Sequence, residues 1–191
     1  WSSDVCSSDL PTAQEPLKIV CPGISGGNNF FPASYSPRSK LSYIPALRGC
    51  QSTKIDFTMH TREKGFRGGD WAVTERNESD LVAVDPTTGQ VKARRAFPWP
   101  NYSGALATAG GVVFTGTMDG TFRAVDENTL EELWRINLGV GFTAPPISYA
   151  VNGKQYVLIS SGLSGPAKGK LVKTPEMAEQ RNATVMWVFS L

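Results

Sequence analysis

Few residues in this 191-residue chain are of types that do chemistry. One histidine, His60, and three cysteines, Cys6, Cys21 and Cys50, argue against a zinc site built within the chain, because such a site needs three or four converging nitrogen or thiolate ligands. Asp56, Asp70, Glu75 and Asp80 lie in polar sequence and read as solvated loop charge. His60 reads the same way, with Lys54, Arg62, Lys64 and Arg67 around it. The pair Asn28-Asn29 reads first as a turn. Two aspartates are more informative: Asp85 in DLVAVDPTTGQVK and Asp126 in TFRAVDENTLEEL. At such a position a carboxylate can accept backbone N–H bonds across a turn, while the following Thr and Gly close a hairpin.

Those two stretches are repeats of one another. Ala83-Val84-Asp85 recurs as Ala124-Val125-Asp126, 41 positions on (83 to 124), and Thr88 recurs as Thr129 at the same offset. A period near forty with about four strands and Gly-rich turns per unit is the pattern of a β-propeller. The second unit divides into a small-residue strand over 103–109, VVFTGT over 112–117, a hairpin turn at Asp119-Gly120, and strands over 122–126 and 133–138. Trp134 is expected to pack its ring between neighbouring units. Residues 144–151, the turn Asn152-Gly153 and residues 155–161 begin a third unit, and the closing ATVMWVFSL repeats the FRAVD type of strand. Four such runs would also fit a β-sandwich; the repeat favours the propeller. Upstream, residues 17–21 form an expected edge strand, 26–29 a loop, 32–35 a strand, 36–40 a turn and 41–45 a strand. Residues 47–70 read as a long polar loop.

Composition agrees with a turn-rich all-β protein: 19 Gly and 13 Pro, 40% apolar and 19% charged residues. A net charge of +2 is too small to argue for nucleic acid or a membrane surface. No run approaches the ~18 apolar residues of a membrane span. Residues 1–10, WSSDVCSSDL, resemble the conceptual translation of a sequencing-library adapter and are set apart from fold reasoning. They have neither the basic nor the apolar region of a signal peptide. Residues 11–191 are expected to begin in mid-protein.

SGALATAGGVVFTGTMDGTFRAVDENTLEELWRINLG and APPISYAVNGKQYVLISSG together resemble the C-terminal part of the quinoprotein alcohol dehydrogenases, which use pyrroloquinoline quinone (PQQ). GISGGNNFFPASYSP resembles the family's GGxN-x-x-P loop, and TPEMAEQRNATVMWVFSL the closing segment of its ethanol-type members. The resemblance implies an all-β, incomplete β-propeller of about two to three four-stranded blades, cut from an eight-bladed ring roughly three times this length. It implies a periplasmic enzyme that oxidises a primary or small alcohol to an aldehyde on PQQ. A calcium or lanthanide ion would lie beneath the cofactor, a c-type cytochrome would accept the electrons, and the parent could be a homo-oligomer. The catalytic aspartate and the metal ligands would lie upstream, so no catalytic or metal residue is assigned here and the fragment alone is expected to be inactive.

Three features transfer by motif. Asn29 stands where the family's asparagine hydrogen-bonds the quinone, whose oxygen gains negative charge on reduction. Tyr102, followed by Ser103, stands where many members have a cofactor-side Trp. Gly162 and Leu163 stand near a substrate-side Trp of methanol-type members; SGLSGPAKG has no Trp, which implies a roomier cavity. The resemblance also implies a disulfide between Cys21 and Cys50, with two free thiols as the alternative. The basic residues around His60 could meet an acidic cytochrome. The alternative from another class is a non-catalytic PQQ-like propeller scaffold of the cell envelope, and another PQQ enzyme with a sugar or polyol substrate is a third reading.

Overall fold

The computed structural model describes residues 12, 15, 17–23, 26–55, 69–73, 77–162 and 183–190. Every regular element among them is a β-strand, and every pairing is antiparallel. The first four-stranded sheet runs β2 (Ser34–Ser36), β3 (Leu41–Arg48), β6 (Glu78–Val84), β7 (Val91–Phe97). The second runs β8 (Ala105–Ala107), β9 (Val112–Gly116), β10 (Thr121–Asp126), β11 (Glu132–Asn137). A third, three-stranded sheet contains β12 (Ile147–Val151), β13 (Lys154–Ser161) and β14 (Val185–Ser190). A small side sheet joins β1 (Leu17–Val20), β4 (Gln51–Ile55) and β5 (Gly69–Val73), with β1 and β5 at its edges. Antiparallel four-stranded sheets packed face to face, the first interrupted between β3 and β6 by the excursion of β4 and β5 into the side sheet, are the blades of a partial propeller.

The middle blade shows how packing uses the sequence. Side chains alternate across a strand, so β10 sends Phe122 and Ala124 to one face and Val125 to the other, and all are buried. One core joins Leu41, Tyr43, Leu81 and Phe97 of the first blade to Val113, Val125 and Leu130 of the second. Another joins Phe114 and Phe122 to Phe142, Val157 and Ile159, with Trp187 and Phe189 packed on it. Trp134 meets Phe122 and Phe189 edge-on, at 6.2 and 5.5 Å, and so spans the seam between blades as expected. Near the axis the inner strands come close. Ala105 N–H donates to the Pro32 carbonyl, and Ala107 N–H to Ser34 Oγ.

The 41-residue repeat extends to the hydrogen bonds. Asp85 N–H donates to Gln90 O as Asp126 N–H does to Glu131 O; Gly89 N–H donates to Asp85 O as Leu130 N–H does to Asp126 O. Both units shift register at the same place, Ala83/Val84 and Ala124/Val125. Gly89 has φ +72°, and Leu130, its counterpart, has φ +59°. Leucine tolerates this left-handed geometry because its side chain is buried in the inter-blade core. Asp85 Oδ1 accepts the hydroxyl and the N–H of Thr87, which hold its carboxyl at about 2, below the ordinary 3.8. A depressed folded-state pKa contributes stability above the unfolded value and loses it as pH falls through the folded one. The Asp85 carboxyl carbon should therefore titrate by NMR near pH 2, and Thr87→Ala should bring that midpoint back up toward 3.8.

Three expectations change. Residues 47–70 are not one loop: β3 continues to Arg48, β4 follows at once, and β5 begins at Gly69. These strands escape a periodicity reading because the side sheet covers little core, and β1 and β4 are largely exposed or half-buried. Asp80 is not solvated loop charge: it lies in β6, 3% exposed, paired with Arg94 at 2.5 Å and Arg48 at 3.1 Å. Asp70 lies in β5 and is exposed. The strand expected over 103–109 shortens to Ala105–Ala107. Gly104 has φ +83°, and a Cβ there would lie 2.6 Å from the Pro32 ring, so the chain turns before it can pair. Asp56, His60, Arg62, Lys64, Arg67 and Glu75, like residues 1–10, lie outside the described residues.

Cys21 and Cys50 form a disulfide with Cα atoms 4.4 Å apart, continuing the β1–β4 ladder past Val20↔Gln51. It closes a loop spanning 29 positions, which includes the first blade's inner strands. On a loop-entropy estimate, its reduction should cost about 3 kcal/mol, read as a lowered urea midpoint with dithiothreitol or in a Cys21→Ser/Cys50→Ser double variant. An unchanged midpoint would remove the bridge as a stabilising element.

Candidate functional site

The meander topology sorts the connections onto two ends. One end carries the turns 36–40, 85–90, 108–111 and 126–131. The other carries the connections 26–33, 98–104 and 139–146, together with the β9–β10 turn and the C-terminal end of β13. Asn29, Tyr102, Ser103 and Gly162 all fall at this second end. Leu163 lies outside the described residues.

The second end is built on Asn101. Its side chain is fully buried, and Oδ1 accepts from Ser103 N–H at 3.2 Å and Gly104 N–H at 3.1 Å. Its Nδ2 donates to Thr115 Oγ1 at 2.6 Å, and that hydroxyl donates to Gly104 O. Ser103 Oγ donates to Gly116 O and accepts Gly116 N–H, both at 2.8 Å. Ser103 is thus turned into the blade, where its hydroxyl holds β9 rather than pointing outward. This closed network fixes the residue between Asn101 and Ser103, which is Tyr102.

Tyr102 is buried, in a cluster with Phe31, Leu47 and Met118. Phe31 meets it edge-on at 5.5 Å, while Phe30 stacks over it at 6.1 Å with 25° between the planes. Phe30 is 69% exposed and Tyr102 3% exposed, so the ring presented to solvent is Phe30. Sequence reasoning passed over Phe30; the signal available was a second aromatic beside the asparagine pair. Asn28 and Asn29 divide their work. The Asn28 amide donates to Pro45 O at 2.8 Å and holds the loop against β3, while Asn29 is exposed next to Phe30.

Gly162 joins the same end through the third blade. Its N–H donates to Gly141 O, its carbonyl accepts Thr143 Oγ1 at 2.8 Å, and Phe142 bridges Ser161. Phe142 N–H reaches Thr117 O, and Met118 N–H donates to Pro100 O, which closes the path back to Tyr102. The end therefore offers a flat exposed aromatic face and an exposed amide on a rigid base. That set suits the edge and face of a planar quinone. No three His, Cys, Asp or Glu side chains come together among the described residues.

Known proteins share this propeller architecture. A family model described as glucose/ethanol/alcohol dehydrogenase PQQ β-propeller domain matches residues 82–157. Quinoprotein ethanol dehydrogenase of Pseudomonas putida is 32% identical over 186 residues, covering 94% of this chain and 29% of that protein. Lupanine 17-hydroxylase [cytochrome c] of a Pseudomonas species is 36% identical over 156 residues, covering 78% of this chain and 22% of that protein. A europium-containing methanol dehydrogenase structure superposes with TM-score 0.81 at 26% identity, covering 91% of this chain and 35% of that one. The chain spans less than a third of the length of these two curated relatives.

Proposed function

Because this chain belongs to the PQQ-dependent quinoprotein alcohol dehydrogenase family, we propose that it is the C-terminal part of the propeller of an enzyme that oxidises a small alcohol to an aldehyde. The observation that carries this reading is the convergence of Asn29, Phe30 and the Asn101–Tyr102 base at one end of two adjoining blades. PQQ, when bound, supplies a two-electron acceptor. Asn29 would donate its amide N–H to a quinone oxygen, which favours the form in which that oxygen carries more negative charge. Phe30, held flat by Tyr102, would cover one edge of the site and exclude water from it. Ser103 and Gly162 would contribute through backbone placement, and Leu163 would line the substrate side. Calcium or a lanthanide would be bound by residues outside this chain. A c-type cytochrome would take the electrons, in the periplasm, where the Cys21–Cys50 bridge is at home.

The test is a dye-linked alcohol assay on the reading frame that contains this chain, reconstituted with PQQ and either calcium or a lanthanide. Ethanol or 1-butanol oxidation is expected, and Asn29→Ala should lower kcat by about 10²-fold, as loss of a single oxyanion donor does. No oxidation with either metal would overturn the enzyme reading in favour of a scaffold. The 191-residue chain alone is expected to show no turnover in the same assay.

A further inference from the structure

Beside the Asn29–Tyr102 cluster, the seam between the first and second blades opens into a cavity of about 550 Å³. One strand of the first blade and two of the second each send an arginine into it: Arg95 from β7, Arg123 from β10 and Arg135 from β11. All three reach a single carboxylate. Arg95 Nη2 lies 3.1 Å and Arg123 Nε 3.3 Å from Glu132 Oε2, and Arg135 Nη1 lies 3.4 Å from Oε1. Asp119 also lines the cavity, but its oxygens accept the hydroxyls of Thr117 and Thr121.

An ion-pair lock between blades would need only Arg95 and Glu132. Arg135 is two-thirds exposed, lies on the same strand as Glu132, and adds nothing to the seam. Arg95 Nε is buried with no hydrogen-bond partner among the described residues. Burial pushes the Arg123 guanidinium down from its usual range; Asp119 and Glu132 oppose this, and Arg95 and Arg135 add to it. Cationic donors are thus in excess of the carboxylates that meet them. Apolar side chains complete the lining: Phe97, whose buried ring lies 4.9 Å from Arg123 Cζ, with Trp99 and Ile136.

We propose that this cavity binds a small organic oxyanion, a phosphate or carboxylate head on an aromatic or apolar body. The head would take the fork geometry that guanidinium offers to planar or tetrahedral oxyanions. The body would lie along Trp99 and Ile136, since the Phe97 ring is itself covered by Arg123. The proposal does not rest on the quinone reading: its three arginines and Glu132 lie outside the Asn29–Tyr102 cluster, although Trp99 also packs against that cluster.

The test is titration of the 191-residue chain at constant ionic strength with phenyl phosphate, benzoate, inorganic phosphate and phenyltrimethylammonium. Binding would be followed by calorimetry and by the Trp99 indole resonance. Phenyl phosphate and benzoate should saturate, inorganic phosphate should bind about tenfold more weakly, and the cation should not bind. Arg135→Gln, a change at an exposed position, should weaken phenyl phosphate by about tenfold, the scale of one charge-assisted hydrogen bond. Glu132→Gln should tighten it by removing the competing carboxylate. No saturable anion binding, or binding that neither variant alters, would overturn the site and leave an inter-blade ion cluster. Equal affinity for inorganic phosphate would overturn the assignment of the apolar lining.

Discussion

Phe122→Ala is expected to destabilise the chain by about 4 kcal/mol, within the range for buried aromatics cut to alanine. Phe122 is fully buried at the centre of the second seam. Its ring meets Phe114 at 5.8 Å, Phe142 at 6.0 Å, Phe189 at 5.6 Å and Trp134 at 6.2 Å. Two of those partners, Phe114 and Trp134, belong to the second blade with Phe122 itself; Phe189 is on β14 and Phe142 leads into the third blade. The cavity left behind could not collapse without moving one sheet towards the other, so most of the transfer and cavity cost should appear. The check is a urea midpoint against two controls. Phe122→Leu, which keeps most of the volume, should cost about 1.5 kcal/mol or less. Leu133→Ala, at a position 58% exposed, should stay within about 0.5 kcal/mol. Amide exchange should speed first in β13 and β14. A loss near 1 kcal/mol for the alanine variant would mean that the third blade does not depend on this seam.

The inter-blade seams were only partly legible in the sequence, for a physical reason. Periodicity reports which face of a strand is buried, not what it is buried against. The strands VVFTG and TFRAVD were therefore evident, and so were the aspartate turns, because Asp85 and Asp126 act on backbone two or three residues away. Asn29 and Tyr102 were reached by motif, and the fold places them at one end. Contacts across long separations left no local trace. Arg95 meets Glu132 across 37 positions, and Ser36 meets Glu127 across 91. Leu130 replaces the glycine of its sister turn, and only its burial explains how a left-handed leucine is held. Polarity misled the reading of residues 47–70, since a strand in a sheet without a core has no need of apolar alternation. The same limit applied to Ser103, which was assigned to a cofactor from its neighbourhood, while its hydroxyl is engaged with Gly116.

Asn101→Ala is the second large effect expected, about 4 kcal/mol, because it strands several buried groups at once. The side chain makes three hydrogen bonds in a fully buried position, and two of them serve the turn Ser103-Gly104. Alanine would leave the Ser103 and Gly104 N–H groups without an acceptor and deprive Thr115 Oγ1 of the amide that donates to it. Each buried donor left unmade costs about 1–3 kcal/mol, more than the bond contributes when formed. Water cannot replace the amide without room, and Gly104 is already pressed against Pro32. The loss should extend beyond stability. Tyr102 sits between the anchored residues and carries Phe30, so the stacked rings should loosen. That predicts a weakened near-ultraviolet dichroism signal from the ring cluster under conditions where far-ultraviolet signal shows the blades still folded. Asn101→Asp separates the two roles. It keeps the acceptor for the Ser103 and Gly104 N–H groups but removes the amide that donates to Thr115 Oγ1, and should cost less stability than the alanine change. If Asn101→Ala left both the urea midpoint and the aromatic signal intact, the end that presents Asn29 and Phe30 would owe its shape to the ring packing alone, and the buried amide network would be incidental to it.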